Sequence, residues 1–144
     1  MKHRKKMQGF TLVELLVVLV IIGLLAGLIG PRVLGHVDTS KVTTAEAQVK
    51  MLKGSLETMR LDINRFPNAS EGIELLVTAP TDEKLRNKWR GPYLDEVTVP
   101  LDPWGNAYQY SLPGSAGRPY ALYSFGADGV PGGEGGDADI GMLP

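Results

Sequence analysis

Apolar positions recur along this chain in three rhythms. From Phe10 to Ile29 they run for 20 residues, interrupted by little besides Thr11, Glu14 and two glycines. From Val42 to Ile63 they return every third or fourth position, and beyond Arg65 they are scattered among prolines, glycines and aromatic residues. As a helix rising about 1.5 Å per residue, the first stretch reaches about 30 Å, the hydrocarbon thickness of a bilayer. It predicts a membrane-crossing helix over residues 10–35. In the second stretch Val42, Ala45, Val49, Leu52, Leu56, Met59 and Ile63 lie three and four apart, predicting an amphipathic helix over 38–63. Its stripe fits a coiled-coil seam or a helix lying on a small domain. Between the two, Gly30-Pro31 predicts a kink near Pro31, or a helix end with a new helix following.

The remainder supplies something for that stripe to pack on. Arg65-Phe66-Pro67-Asn68 ends the helix, and Ser70 to Leu76 reads as a short second helix with Ser70 as its cap and Glu71 and Glu74 in its first turn. Residues 80–105 form an irregular, proline-punctuated loop whose Trp89, Tyr93, Leu94, Val97 and Val99 are expected to clamp it to the helix. Asp102-Pro103-Trp104-Gly105-Asn106 is turn chemistry. Ala107 to Ser111 and Tyr120 to Ser124 read as two strands of an antiparallel hairpin around Pro113 to Gly117. The fold class is therefore α+β, a long N-terminal helix packed on a small antiparallel sheet domain spanning 36–144.

Charge adds direction. Lys2, Arg4, Lys5 and Lys6 precede the apolar run, and positive charge marks the end that stays in the cytoplasm. The first nine residues hold four of the 15 basic residues and none of the 16 acids, which leaves 11 against 16 and a net charge of −5 for the rest. An acidic exported domain argues against nucleic acid as a partner. Glu14 lies within the apolar run, where a charge costs on the order of 2.5–3.5 kcal/mol, so its presence points to a use.

Catalytic chemistry finds little support. His3 and His36 are the only histidines and lie far from the C-terminal acids in sequence, and there is no cysteine, phosphate loop or dinucleotide fingerprint. A carboxylate pair such as Glu96 with Asp102 would need a cleft that a domain this small rarely provides. The chain is read as a non-enzyme. The tail, Gly126 to Ile140, is rich in glycine and acid; Asp128, Asp137 and Asp139 supply the hard oxygen ligands that Ca²⁺ prefers, although carboxylate loops of this composition are also simply soluble.

Gly9-Phe10-Thr11-Leu12-Val13-Glu14 ahead of the apolar run resembles the class III leader of type IV pilins and pseudopilins. That resemblance implies that residues 1–9 are removed by a prepilin peptidase cutting between Gly9 and Phe10, that Phe10 is N-methylated, and that Glu14 sets the register between assembling helices. Together with Pro31, Phe66-Pro67, Glu71-Gly72, Asp102-Pro103-Trp104-Gly105, Tyr108-Gln109-Tyr110, Leu122-Tyr123-Ser124, Gly126-Ala127-Asp128-Gly129 and Asp137-Ala138-Asp139-Ile140, the motif resembles the major pseudopilins of type II secretion systems.

The resemblance implies a single-pass protein of the bacterial inner membrane, its C-terminal domain periplasmic, with residues 10–35 forming the core of a fibre. It would polymerise with itself into the periplasmic pseudopilus that drives folded proteins across the outer membrane. Minor pseudopilins, an inner-membrane platform protein and the secreted proteins would be its partners. The resemblance further implies a Ca²⁺ held in loop 125–140 by Asp128 and the Phe125 carbonyl. Where the family places another carboxylate seven residues on, this chain has Gly135, so the second ligand falls to Asp137 or Asp139. Alternatives on the same architecture are a cysteine-free type IV pilin of a surface fibre and a membrane-tethered calcium-dependent binding domain.

Overall fold

The computed structural model describes residues 9–144, with the backbone but not the side chains of 29–37. The leader's basic residues, and the side chains around the bend expected at Pro31, lie outside the described residues. Two compact units divide between Val37 and Asp38. The helical assignment of α1 (Leu12–Ile63) continues through Pro31, in place of the helix end that proline also permitted.

In the first unit the T-x-x-E sequence of Thr11 to Glu14 forms a capping box. The Thr11 amide and hydroxyl both donate to Glu14 Oε2 at 2.8 Å, and the Glu14 amide donates back to Thr11 Oγ1 at 3.2 Å. Every large apolar side chain from Phe10 to Leu28 is exposed, between 48 % and 87 %. Nothing within the unit covers them.

The second unit is built on the far stretch of α1. Ala45, Val49, Leu52, Leu56, Met59 and Ile63 are buried on one face, while Val42 is half-buried at its start. Against them pack Ile73, Leu75 and Leu76, then Leu94, Tyr108, Tyr120 and Leu122, so the stripe faces this domain's own core. The helix closes at Asn64, whose left-handed φ of 59° lets its amide reach the Arg60 carbonyl at 2.8 Å.

Three phenols tie the later segments to the helix and its end. Tyr93 donates to Asp62 (2.8 Å), Tyr108 to Gln48 (2.5 Å) and Tyr110 to the Pro67 carbonyl (2.8 Å). Burial raises Tyr108 and Tyr110 above the ordinary phenol range, so both remain neutral donors.

Several local expectations change. Residues Gly72–Leu76 form a 3₁₀ helix, and its entry is organised by Asn68 in place of Ser70: Asn68 Oδ1 accepts from the Ser70 amide (3.0 Å), the Ser70 hydroxyl (2.7 Å) and the Glu71 amide (2.9 Å). An amide at the start of an Asx turn reaches two following N–H groups, and Ser70 lies too late to do so. Loop 80–105 contains one helical turn, α2 (Glu83–Arg86), capped by Asp82 accepting from the Leu85 amide at 3.0 Å. Trp89, Tyr93 and Val99 pack on the core and Leu94 is buried within it, but Val97 is 92 % exposed and clamps nothing.

The sheet has three antiparallel strands in the order β1 (Gln109–Ser111), β2 (Ala121–Ser124), β3 (Ile140–Met142). The expected hairpin is present in shorter form, and β3 is an addition drawn from the tail.

Arg65 and Glu71 lock the turn after α1 in a two-pronged pair, both contacts at 2.7 Å, and the Asn68 amide donates to the same carboxylate at 2.9 Å. The Arg65 guanidinium holds the Glu71 carboxyl below the usual carboxylate range, against the opposing effect of burial. A lowered folded-state pKa contributes stability above the unfolded value of 4.5 and loses it as pH falls through the folded one. With Arg65 34 % exposed, solvent screening leaves about 1 kcal/mol. Glu71→Gln is expected to lose that amount at pH 7 in urea denaturation, with the difference shrinking at about pH 3; equal stability at pH 7 would contradict the assignment.

Candidate functional site

The acidic tail becomes the connection between β2 and β3, closed at its base by the pairing of Ser124 with Ile140. Glycine dominates because the backbone turns repeatedly through positive φ: Gly126 (74°), Gly129 (69°), Gly132 (95°), Gly133 (86°) and Gly135 (61°). Two of these positions are also closed to a side chain. A Cβ on Gly126 would lie 2.7 Å from the Ala138 carbonyl oxygen, and one on Gly133 2.4 Å from that of Asp137. The Ala127 amide donates to the Gly136 carbonyl at 3.0 Å, so the two ends of the loop run side by side.

The expected metal residues take different positions within it. Asp128 is exposed and its Oδ1 accepts from the Val130 amide at 3.1 Å. Asp137 is exposed at the end of a short 3₁₀ turn, Gly135–Asp137. Asp139 is half-buried and reaches across the loop, its Oδ2 accepting from the Gly132 amide at 3.1 Å. Its Oδ1 is buried without a hydrogen-bond partner. Phe125 follows directly on β2, its ring edge-on to Tyr123 at 5.4 Å. Among the described residues no three acidic or histidine side chains gather as a metal cluster. An oxygen-seeking cation would draw here on fewer carboxylates and on carbonyls, which Ca²⁺ accepts. A buried carboxylate oxygen lacking a donor is what such an ion satisfies. By this test Asp139 fits as a ligand to Ca²⁺, with loop carbonyls able to complete the set.

Sequence inspection missed the support beneath the loop. Asp102 is 4 % exposed and Ser124 is fully buried, and the Ser124 hydroxyl donates to Asp102 Oδ2 at 2.5 Å while accepting from the Gly126 amide at 3.0 Å. Asp-Pro-Trp-Gly-Asn announces a turn; that its carboxylate turns inward is not visible in the letters.

A second candidate surface is the apolar first unit. Gly9 and Phe10, the expected processing residues, line one open recess together with Thr11 and Glu14. Among the described residues no helix is long and apolar enough to cross a membrane. The described side chains stop at Leu28, before the end of the apolar run.

Comparison with known proteins gives two family matches: type II secretion system protein G over residues 32–143 and the prokaryotic N-terminal methylation motif over residues 4–30. The type II secretion system core protein G of Pseudomonas aeruginosa is 45 % identical over 140 residues, covering 96 % of both chains. That of Vibrio cholerae is 42 % identical over 141 residues, covering 98 % of this chain and 94 % of the relative. Among solved structures, the major pseudopilin from the type 2 secretion system of enterohaemorrhagic Escherichia coli matches with a TM-score of 0.61 at 33 % identity, over 75 % of this chain and 90 % of that one.

The loop geometry makes the glycines unequal. Gly126→Ala forces a Cβ into backbone at positive φ and is expected to cost more than 2 kcal/mol, on the order of other backbone-strain substitutions. Gly136→Ala meets open space and is expected to stay within about 0.5 kcal/mol. Urea denaturation of the two variants side by side checks the contrast; similar costs would refute it.

Proposed function

Since the chain belongs to the type II secretion system protein G family, we propose that it is made as a precursor, cut between Gly9 and Phe10, methylated on the new amine, and built into a helical homopolymer anchored through residues 10–35. As a member of that family it is a structural subunit of a pseudopilus in type II secretion. The observation that carries the proposal is the uncovered apolar surface from Phe10 to Leu28, with a single carboxylate, Glu14, at its start.

A continuous apolar surface of this kind needs lipid or like neighbours around it. The basic residues ahead of it would hold the amino terminus on the cytoplasmic side, leaving the second unit in the periplasm. Cleavage after Gly9 creates a positive amine next to the capping box. Glu14 on an adjacent copy is then the natural partner for that amine, because in an apolar surrounding either charge alone is costly and the pair fixes how far neighbouring helices are displaced. Contacts between unlike faces that never close make an open fibre. Its growth from the inner membrane would drive folded proteins outward, with prepilin peptidase, minor pseudopilins and a platform protein as working partners.

The loop between β2 and β3 would hold Ca²⁺ through Asp128, through Asp139 or Asp137, and through the Phe125 carbonyl. The buried, unpartnered Asp139 Oδ1 favours Asp139 as the second carboxylate. A bound Ca²⁺ would supply the cross-link that cysteine-free loops otherwise lack.

Two results are expected. Mass spectrometry of the membrane-extracted chain should find Phe10 at the amino terminus with one added methyl, and Glu14→Ala should keep that processing while losing fibres on overexpression; fibres at parental levels would rule out the register role. The detergent-solubilised mature chain should melt at least several degrees higher in millimolar Ca²⁺ than in chelator, and identical melting would reject the ion.

A further inference from the structure

The geometry points to the Asp102 to Asn106 turn as the platform that steadies the loop carrying Asp128 for the metal, with Asp102 and Ser124 as positioning residues; this rests on the loop holding Ca²⁺. Asp102 lies one strand away from the loop and touches none of the expected ligands. Its carboxylate is nonetheless fully engaged. Oδ1 accepts from the Trp104 amide (3.1 Å) and the Asn106 amide (2.8 Å), and Oδ2 accepts from the Ser124 hydroxyl (2.5 Å).

From this anchor one prop reaches the loop. Ser124 Oγ, held by Asp102, accepts from the Gly126 amide at 3.0 Å. The Asn106 side chain lies near Gly129 without bonding to it: a Cβ added there would come to ordinary van der Waals distance, 3.5 Å from Asn106 Nδ2. The backbone of Asn106 is itself pinned, since its carbonyl accepts from the Asp102 amide at 2.8 Å.

Gly126 and Gly129 bracket Asp128, and both sit at positive φ, 74° and 69°. Glycine gives a backbone several such conformations at similar energy. Left unsupported, Asp128 would sample many directions and lose that freedom on binding an ion. Fixing Gly126, two residues before it, removes part of that loss in advance. Residues that orient metal ligands without touching the metal typically change affinity 10–100-fold when removed.

The test uses the full mature chain in detergent, titrated calorimetrically with Ca²⁺ and melted with and without it. Ser124→Ala removes the acceptor for Gly126, and Asp102→Asn loosens the hold on the Ser124 hydroxyl while keeping the side chain's size. Each is expected to weaken Ca²⁺ binding 10–100-fold and to shrink the Ca²⁺-induced rise in melting temperature by more than it lowers the melting temperature of the metal-free chain. A purely structural role would lower both melting temperatures alike and leave affinity within twofold of the parent, which would overturn the proposal. If Ser124→Ala does not fold, Asp102→Asn, which keeps the volume of the side chain, decides the question alone. A parent chain that binds no Ca²⁺ at millimolar concentration refutes the calcium site itself, and the platform with it.

Discussion

The second unit depends on one surface, the side of α1 carrying Leu52, Leu56 and Met59, each fully buried. The sheet is too small to hold a core alone: its strands are three or four residues long, and a sheet of that size needs a helix to cover its inner face. The 3₁₀ helix, Leu94 and the inward residues of β1 and β2 converge on that stripe. Hydrogen bonds from Tyr93 and Tyr108 to side chains of the same helix then fix where the covering segments sit along it. Hydrophobic burial supplies the attraction, and the phenols supply the register.

Resting the domain on one helix face leaves the rest of α1 for other purposes. The Phe10 to Leu28 stretch has no polar side to present to water, in contrast to the alternating faces beyond Val42. The same polypeptide therefore carries two kinds of helix surface, one complete within its own domain and one that requires company. A pseudopilus subunit needs both, since it must keep its identity as a folded unit while giving its apolar end to a shared assembly.

What could be read from the letters follows from how far each interaction reaches along the chain. The stripe from Val42 to Ile63 was legible because helical periodicity repeats through it, and the leader because its apolar run and glycine lie side by side. The capping box was equally local, yet the conspicuous charge of Glu14 drew attention from Thr11 three residues earlier. The strand at Ile140–Met142 stayed hidden for a different reason. Three residues with a central glycine carry no alternation, and only pairing with β2 makes them a strand. The same holds for Asp102. Its burial depends on Ser124, 22 positions away, and no spacing rule connects a turn aspartate to a strand-end serine. Asp137 and Asp139 stood as alternatives in the sequence; only the folded loop separates the inward-reaching Asp139 from the exposed Asp137.

The capping box has a thermodynamic corollary for any polymer built on Glu14. An isolated subunit already satisfies that carboxylate through its own Thr11. A neighbour's amine, if it docked there, would add a counter-charge to a carboxylate already hydrogen-bonded, and undocking would return it to Thr11. Swaps between two satisfied states have small net free energies. A contact of that kind would be made and broken with a modest net free energy.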